Sequence, residues 1–493
     1  MGIKDIFQSG SVIYFVGIKG TGVCALAELM HNTGLKVSGS DISEVFYTDA
    51  ILKDLNIPYH ENFDAAHISE SIDIVVHSSA YSASSNPELA RALELGIPVM
   101  KYTDALGNWS TRFDSTGVCG VHGKTTTTAI CGVLMRAAGV PAQILTGSAA
   151  LDFNGRSTLT LGNKYFIAET CEYQKNFLSF RPKRIILTAV EWDHQDYFDS
   201  YESIRDAFVE YCNLLPEGGQ LIYCADDRGA SEVAQITEKK NRGVELIPYG
   251  FTAAGDYRIG SYNIDNGRAF FNLAGIPEAL SIRIPGRHEA LNATAAIALT
   301  VSLVREESAT AKENTLLDEE KINSIKNALD NFKSTKRRCE ILGKAGGILF
   351  IDDYGHHPTA IKTTLAGIKS FYPSCRLVVS FMSHTYTRTS ALINEFASAF
   401  DDADILFLHK IYASARENYK GGVDGRTLFE KASAVRSGET YYIDEPDDAF
   451  APLCEILKSG DIFITLGAGN NWPLGEKLFT RFKMTSGAEV HHD

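Results

Sequence analysis

A short β-rich apolar run, a glycine turn and then an apolar stripe at helical spacing recur along this chain. Ser11-Val12-Ile13-Tyr14-Phe15-Val16 runs into Gly17-Ile18-Lys19-Gly20-Thr21-Gly22, and residues 23–30 follow with helical periodicity. Residues 114–119 likewise lead into Gly120-Val121-His122-Gly123-Lys124-Thr125-Thr126-Thr127, and apolar positions at helical spacing continue through Met135. Residues 72–76 and 184–190 read as further buried strands, and Tyr165-Phe166-Ile167-Ala168 delivers Glu169 to a strand end. Asn86-Pro87-Glu88 opens a helix that Gly96 and Pro98 stop. Farther on, the runs 347–351, 376–381, 404–408 and 461–466 each end in polar or glycine-rich residues, which together make a binding rim. Strands alternating with helices predict an α/β fold of parallel sheets, with ligands at the strand C-termini. The stretch 221–284 reads as several short strands with turns at Asp226-Asp227 and Asp265-Asn266-Gly267. An alanine-rich helix then starts after Pro285-Gly286 and ends near Val304.

Length and charge narrow the class. At 493 residues the chain exceeds one ordinary core, and roughly two to four domains are expected. The pattern places boundaries near Leu106 and Phe332, giving domains 1–106, 107–331 and 332–493. A net charge of −14 argues against nucleic acid as the main partner. No run approaches the roughly 18 apolar residues of a membrane span, and Met1-Gly2-Ile3-Lys4-Asp5 has no signal-peptide pattern. Nine scattered cysteines without a CxxC pair read as buried thiols in a reducing compartment, so a cytoplasmic enzyme is expected.

The candidate chemistry sits at the ends of the strands. A strand, a glycine turn and a helix start gather backbone N–H groups and a helix dipole at one point, which holds a phosphate. Lys124 adds a charge for the β/γ-phosphates, and the Thr125 hydroxyl suits Mg²⁺. Val118 stands where the longer phosphate-loop pattern has its first glycine, so only Gly120-x-x-Gly123-Lys124-Thr125 is present. Glu169 and His194, each following a buried strand, are candidate Mg²⁺ ligands. The bland alternative makes Glu169 a helix cap and His194 a hydrogen-bonded loop residue. Separately, Gly20-x-Gly22-x-x-Ala25 with Asp41 about twenty residues on fits a dinucleotide fingerprint, and by itself suggests a dehydrogenase.

Taken in order, these motifs resemble those of the Mur ligases, the ATP-dependent amino-acid-adding enzymes of bacterial cell-wall synthesis. The likeness runs from Phe15-Val16-Gly17-Ile18-Lys19-Gly20-Thr21-Gly22 through the Gly120–Thr127 loop residues and Ala168-Glu169-Thr170-Cys171-Glu172-Tyr173 to Pro285-Gly286-Arg287-His288. It continues through Asp352-Asp353-Tyr354-Gly355-His356-His357-Pro358 and His384-Thr385-Tyr386 to Leu466-Gly467-Ala468-Gly469. The resemblance implies three domains: an N-terminal Rossmann-like domain for a UDP-sugar, a central P-loop ATPase domain and a C-terminal Rossmann-like domain. It further implies joining L-alanine to the lactyl carboxylate of UDP-N-acetylmuramate, using ATP and Mg²⁺, through an acyl phosphate. A monomer or homodimer, with no nucleic acid or membrane partner, is the expected state.

Carried onto this chain, the resemblance gives Gly120, Val121, His122, Gly123, Lys124, Thr125 and Thr126 to the ATP phosphates. Thr125 and Glu169 would hold one Mg²⁺ and His194 a second. His288 and Asn292 match the adenine-contacting segment, Arg338 would reach the γ-phosphate, and Asp353 the ribose. Tyr354 and His356 would face the muramoyl group, and His384, Tyr386 and Arg388 the amino acid. In the first domain Gly17, Gly20 and Gly22 would approach the UDP pyrophosphate, with Asp41, Ser78 and Ser79 at the uridine.

Three positions depart from the family pattern. Lys19 replaces a usual glycine, which either alters the turn or adds a cation to the diphosphate. Glu289 replaces a usual asparagine after His288 and puts the adenine contact in question. Cys171 is expected to be a buried thiol, not a nucleophile. The nearest competing activity is a murein tripeptide ligase of cell-wall recycling, which shares scaffold and acceptor. A nicotinamide-dependent dehydrogenase leaves Lys124, Glu169 and His194 without work. A regulatory protein that has lost catalysis is the third reading.

Overall fold

Four sheets organise the described residues of the computed structural model, which are 7–241, 243–307, 316–413, 417, 419 and 421–485. The first is parallel throughout, in the order Tyr59–His60, Lys36–Ser40, Val12–Val16, Ile74–His77, Val99–Lys101. Its central strands are almost entirely apolar and buried, as a sheet with helices on both faces requires. The helix Pro87–Glu94 forms where the pattern placed it. The Asn86 side chain accepts from the N–H groups of Glu88 and Leu89 at 3.0 and 3.1 Å, Pro87 occupies the first turn, and Leu89 and Ala92 face inward.

The second sheet runs Glu245–Tyr249, Gln220–Cys224, Arg184–Leu187, Asp114–Cys119, Tyr165–Glu169, Ala142–Ala150, Arg156–Thr160, antiparallel only at its last pair. A small antiparallel sheet follows, Ile259–Asp265, Arg268–Leu273, Ile276–Ile282. The last sheet takes the order Glu340–Ala345, Ile348–Asp353, Ile462–Leu466, Leu377–Phe381, Ile405–Leu408, Glu439–Tyr442, with its first pair antiparallel.

One stretch differs from its sequence reading. Residues 221–284 hold, besides strands, the helix Arg228–Lys240. Asp227, read as a turn residue, caps this helix by accepting from Ala230 N–H, and Val233, Ala234 and Thr237 form its buried face. With Gly229 and Ala230 these make five buried positions of thirteen, of which Val233 alone is a large apolar residue, too weak a stripe to stand out in the sequence.

The chain divides into two compact units. One comprises the described residues of Met1–Val190, Arg205–Arg258 and Ala293–Ala328; the other those of Glu191–Ile204, Ile259–Asn292 and Leu329–Asp493. Among the described residues no helix is long and apolar enough to cross a membrane.

Candidate active site

In the first unit the strand order of the first sheet reverses between Val12–Val16 and Ile74–His77, the place where such sheets bind nucleotides. Gly17, Gly20, Gly22, Asp41, Ser78 and Ser79 collect at the strand ends there. Gly20 precedes the helix Thr21–Asn32, and Ser79 is exposed. Asp41 is buried and its carboxylate is engaged within the loop. One oxygen accepts the Lys19 N–H at 2.7 Å, the other the Ile42 N–H at 2.8 Å and the Tyr81 hydroxyl at 3.3 Å. The Lys19 ammonium turns away into an acidic pocket, 3.0 Å from Asp49, 3.1 Å from Glu61 and 3.0 Å from the Glu44 carbonyl. Burial works against its charge, but Asp49 and Glu61 outweigh this and raise its pKa. Lys19 therefore shapes the turn; its charge is spent on these acids.

The phosphate loop lies at the end of Asp114–Cys119 in the same unit. Gly123 has φ +79°, a conformation that costs a side-chain-bearing residue energy, and it caps the helix Lys124–Ala138. The loop is held from outside as well. Val121 N–H donates to the Ala189 carbonyl at 2.9 Å, and the Thr188 hydroxyl donates to the His122 carbonyl. Thr125 and Thr126 are buried in the first turn. The Lys124 ammonium donates to the Gly120 carbonyl and sits 2.9 and 3.1 Å from the two Glu172 oxygens. Burial opposes its charge, and Glu172 overrides that to raise the lysine pKa. Glu172 went unassigned in the sequence, although it lies only three residues past Glu169.

Strand register pairs Glu169 with Val118, so this carboxylate stands next to the loop. Its Oε2 accepts the Gly147 N–H at 2.7 Å. A Cβ on residue 147 would lie 2.4 Å from that oxygen, so only glycine leaves the carboxylate in place.

The second unit gathers a different set. Asp193, 3% exposed in its side chain, accepts from Arg388 Nε at 2.9 Å and from the His194 N–H at 2.7 Å. Its other oxygen lies 3.9 Å from His356 Nε2 and 4.0 Å from His194 Nε2. Arg388 Nη1 is 3.4 Å from His384 Nδ1, and the His384 ring stacks on Tyr412. His194, His356, His384 and Arg388 are thus one cluster. His194 has φ +55° and Thr385 φ +67°, strained backbone of the kind found at functional sites. Burial, reinforced by Arg388, holds His356 well below the usual imidazole range against the pull of Asp193. Although burial opposes it, the charge of Asp193 is favoured by Arg388 and the neighbouring histidines, which keep it well below the carboxylate norm.

Arg338 lies over the Tyr354 ring, 5.0 Å from its centroid, and that ring is 5.2 Å from the ring of His356. Asp353 accepts the N–H groups of Cys339 and Gly355, both at 2.7 Å, and burial raises its pKa against the effect of Arg338. Tyr386 N–H donates to Glu417 at 2.6 Å. His288 and Asn292 come together around buried Glu289, which lies 3.2 Å from His288 Nε2 and accepts from Asn292 Nδ2 at 3.1 Å. Burial disfavours the imidazolium of His288, but Glu289 wins and raises its pKa.

Sequence models place this geometry in a family. The Mur ligase family catalytic domain matches residues 12–114, the Mur ligase middle domain 118–300, and the Mur ligase glutamate ligase domain 337–469. A UDP-N-acetylmuramate–L-alanine ligase of Treponema pallidum is 46% identical over 97% of this chain and 98% of its own length. The chain belongs to the Mur ligase family. A second such relative, from Borreliella afzelii, is 37% identical over 97% of this chain and all of its own. Among solved structures, the UDP-N-acetylmuramate–alanine ligase of Thermotoga maritima superposes with a TM-score of 0.73 at 24% identity, covering 96% of this chain and 99% of that one. A murein peptide ligase from Psychrobacter arcticus gives 0.62 at 22% identity, covering 98% and 100%. These two likenesses speak to the fold, which is the α/β three-domain Mur ligase architecture.

Within that family two features of this chain differ from their sequence reading. Cys171 is exposed, and Cys375 and Cys454 are half-buried, so the cysteines are not uniformly core thiols. Cys171 lies two residues past the end of the strand Tyr165–Glu169. Asp193 carries no assignment in the sequence, yet it touches three of the candidates, Arg388, His194 and His356. Its one sequence signal was an acid directly before a candidate ligand histidine.

Proposed function

We propose that this Mur ligase joins L-alanine to the lactyl carboxylate of UDP-N-acetylmuramate, with cleavage of ATP to ADP and phosphate, in the cytoplasm. The full-length likeness to the Treponema pallidum ligase at 46% identity carries this reading. This chain's proposed domains are 1–106 for the UDP-sugar, 107–331 for ATP and 332–493 for the amino acid.

The roles follow the chemistry of each side chain. ATP transfers its γ-phosphoryl group to the substrate carboxylate; the alanine amine then attacks the acyl carbon, and phosphate leaves from the tetrahedral intermediate. Bringing a carboxylate to a triphosphate sets anions against each other, so fixed cations must offset them. Lys124 and the N–H groups of the Gly120–Lys124 turn bind the phosphates, and Arg338 supports the γ-phosphate. Thr125 and Glu169 provide a hydroxyl and a carboxylate oxygen beside the loop, a donor set that fits Mg²⁺, and His194 is assigned to a second ion. Bound there, Mg²⁺ supplies charge neutralisation. His288 and Asn292 take the adenine and Asp353 the ribose. Tyr354 and His356 face the muramoyl group, while His384, Tyr386 and Arg388 take the amino acid. Gly17, Gly20, Gly22, Ser78 and Ser79 receive the UDP moiety, and Asp41 sets the shape of that loop.

The test is phosphate release from ATP with UDP-N-acetylmuramate, with and without L-alanine, for the wild type and Lys124→Ala. Release that needs both substrates and disappears in the variant is expected. Turnover only with a murein tripeptide would make the chain a recycling ligase.

A further inference from the structure

We infer that Asp193 is the positioning residue for the incoming amino acid: it fixes Arg388 so that the outer edge of the guanidinium meets the amino-acid carboxylate. The inference rests on the alanine-adding reading and goes beyond it by assigning a residue to which neither the motifs nor the comparisons give a role.

The geometry is specific. Asp193 takes the Nε side of Arg388 at 2.9 Å, and both side chains are at most 6% exposed. A guanidinium held on its Nε side keeps its rotation fixed and presents its remaining N–H groups in a set plane, the arrangement that recognises a carboxylate in a bidentate way. Arg388 Nη1 is next to His384 Nδ1 at 3.4 Å, so the edge facing away from Asp193 points to the residue assigned to the amino acid. The same Asp193 oxygen accepts the His194 N–H at 2.7 Å and braces a left-handed residue, φ +55°, that an unsupported histidine rarely adopts. One carboxylate therefore sets both the amino-acid clamp and the adjoining histidine turn. Its second oxygen lies 3.9 Å from His356 Nε2 and 4.0 Å from His194 Nε2, so the same carboxylate faces both histidines.

Asp193→Asn keeps the size and an acceptor oxygen but loses the charge; Asp193→Ala loses both. In steady-state assays the KM for L-alanine is expected to rise about tenfold in Asp193→Asn and more in Asp193→Ala. The KM values for ATP and UDP-N-acetylmuramate should stay within about twofold. The preference for L-alanine over L-alaninamide, which lacks the carboxylate, should shrink in the same order. Asp193→Glu should recover part of both. If Asp193→Ala does not fold, the Asn variant alone decides. An unchanged alanine KM, an unchanged alanine-to-alaninamide preference, or an equal rise in all three KM values overturns the inference while leaving the ligase reading intact. A wild type without alanine-dependent turnover overturns the ligase reading and this assignment with it.

Discussion

Two loops in the first unit share a plan and differ in what their lysine does. Both leave a buried parallel strand, turn at glycines and enter a helix, and both carry a lysine near the turn. In the Gly17–Gly22 loop, Lys19 has no exposed side-chain surface and is locked to Asp49 and Glu61. In the Gly120–Lys124 loop, Lys124 begins the helix, keeps 14% exposure and has one acid partner, Glu172. A lysine in a glycine loop is a ligand cation only when its neighbours leave it one edge. Lys19 is buried against two acids, whereas Lys124, proposed above as the phosphate-binding cation, is paired with Glu172 alone.

The strongest way to break this comparison is at Lys124. Lys124→Ala should lower the ATP-dependent rate by about 10²- to 10³-fold, because a fixed charge at the transferred phosphoryl group is removed. A loss under tenfold in single-turnover phosphate release would put the two lysines in the same class. The counterpart at the other loop is Lys19→Met. Asp49 is then left buried without its cation, and unfolding in urea should report a loss of about 3 kcal/mol, with little change in kcat. A large rise in KM for the UDP-sugar at unchanged stability would instead make Lys19 a ligand cation.

A third substitution sharpens the phosphate-loop side. Gly147→Ala pushes a methyl group against the Glu169 carboxylate, and a rate loss of about tenfold is expected from displacing one catalytic group by a fraction of an ångström. Isothermal titration of the Mg²⁺–nucleotide complex should weaken in parallel; unchanged binding and rate would take Glu169 out of the metal site.

The smallest effect concerns acid. Burial works to raise the pKa of Asp49, but the Tyr59 hydroxyl, the Phe46 N–H and Lys19 outweigh it and hold the pKa below the ordinary 3.8. As pH falls through that ordinary value the unfolded chain takes up the proton first, so stability drops on acidification. The contribution is complete above about pH 4 and is lost as pH falls through the folded value. The gap in urea midpoint between wild type and Lys19→Met should therefore narrow below pH 4. A gap that stays constant to pH 2.5 would mean that Asp49 is not what Lys19 stabilises.

Much of the fold was legible because periodicity and turn chemistry are local. The strands at Tyr165–Glu169 and Leu377–Phe381 stand out as short, mostly apolar runs, and Asn86-Pro87 announces its helix through capping. Helix Arg228–Lys240 was missed because only one narrow face of it is apolar. The family was legible for another reason: motif order along a chain survives without knowledge of any contact.

The sequence by itself determined that strands end in polar loops, that a phosphate loop opens a helix, and in what order the chemistry-bearing residues come. Only the tertiary structure decided where Lys19 points, that Cys171 is open to solvent, that Glu289 binds both His288 and Asn292, and that Asp193 holds Arg388. For Lys19 and Asp193 the reason is distance along the chain. Lys19 meets acids 30 and 42 residues away, and Asp193 meets an arginine 195 residues away. Local pattern sets which face of an element is buried; the partner of a buried charge is chosen by whichever opposite charge the fold brings within reach, because a charge left alone in the interior is too unstable to persist.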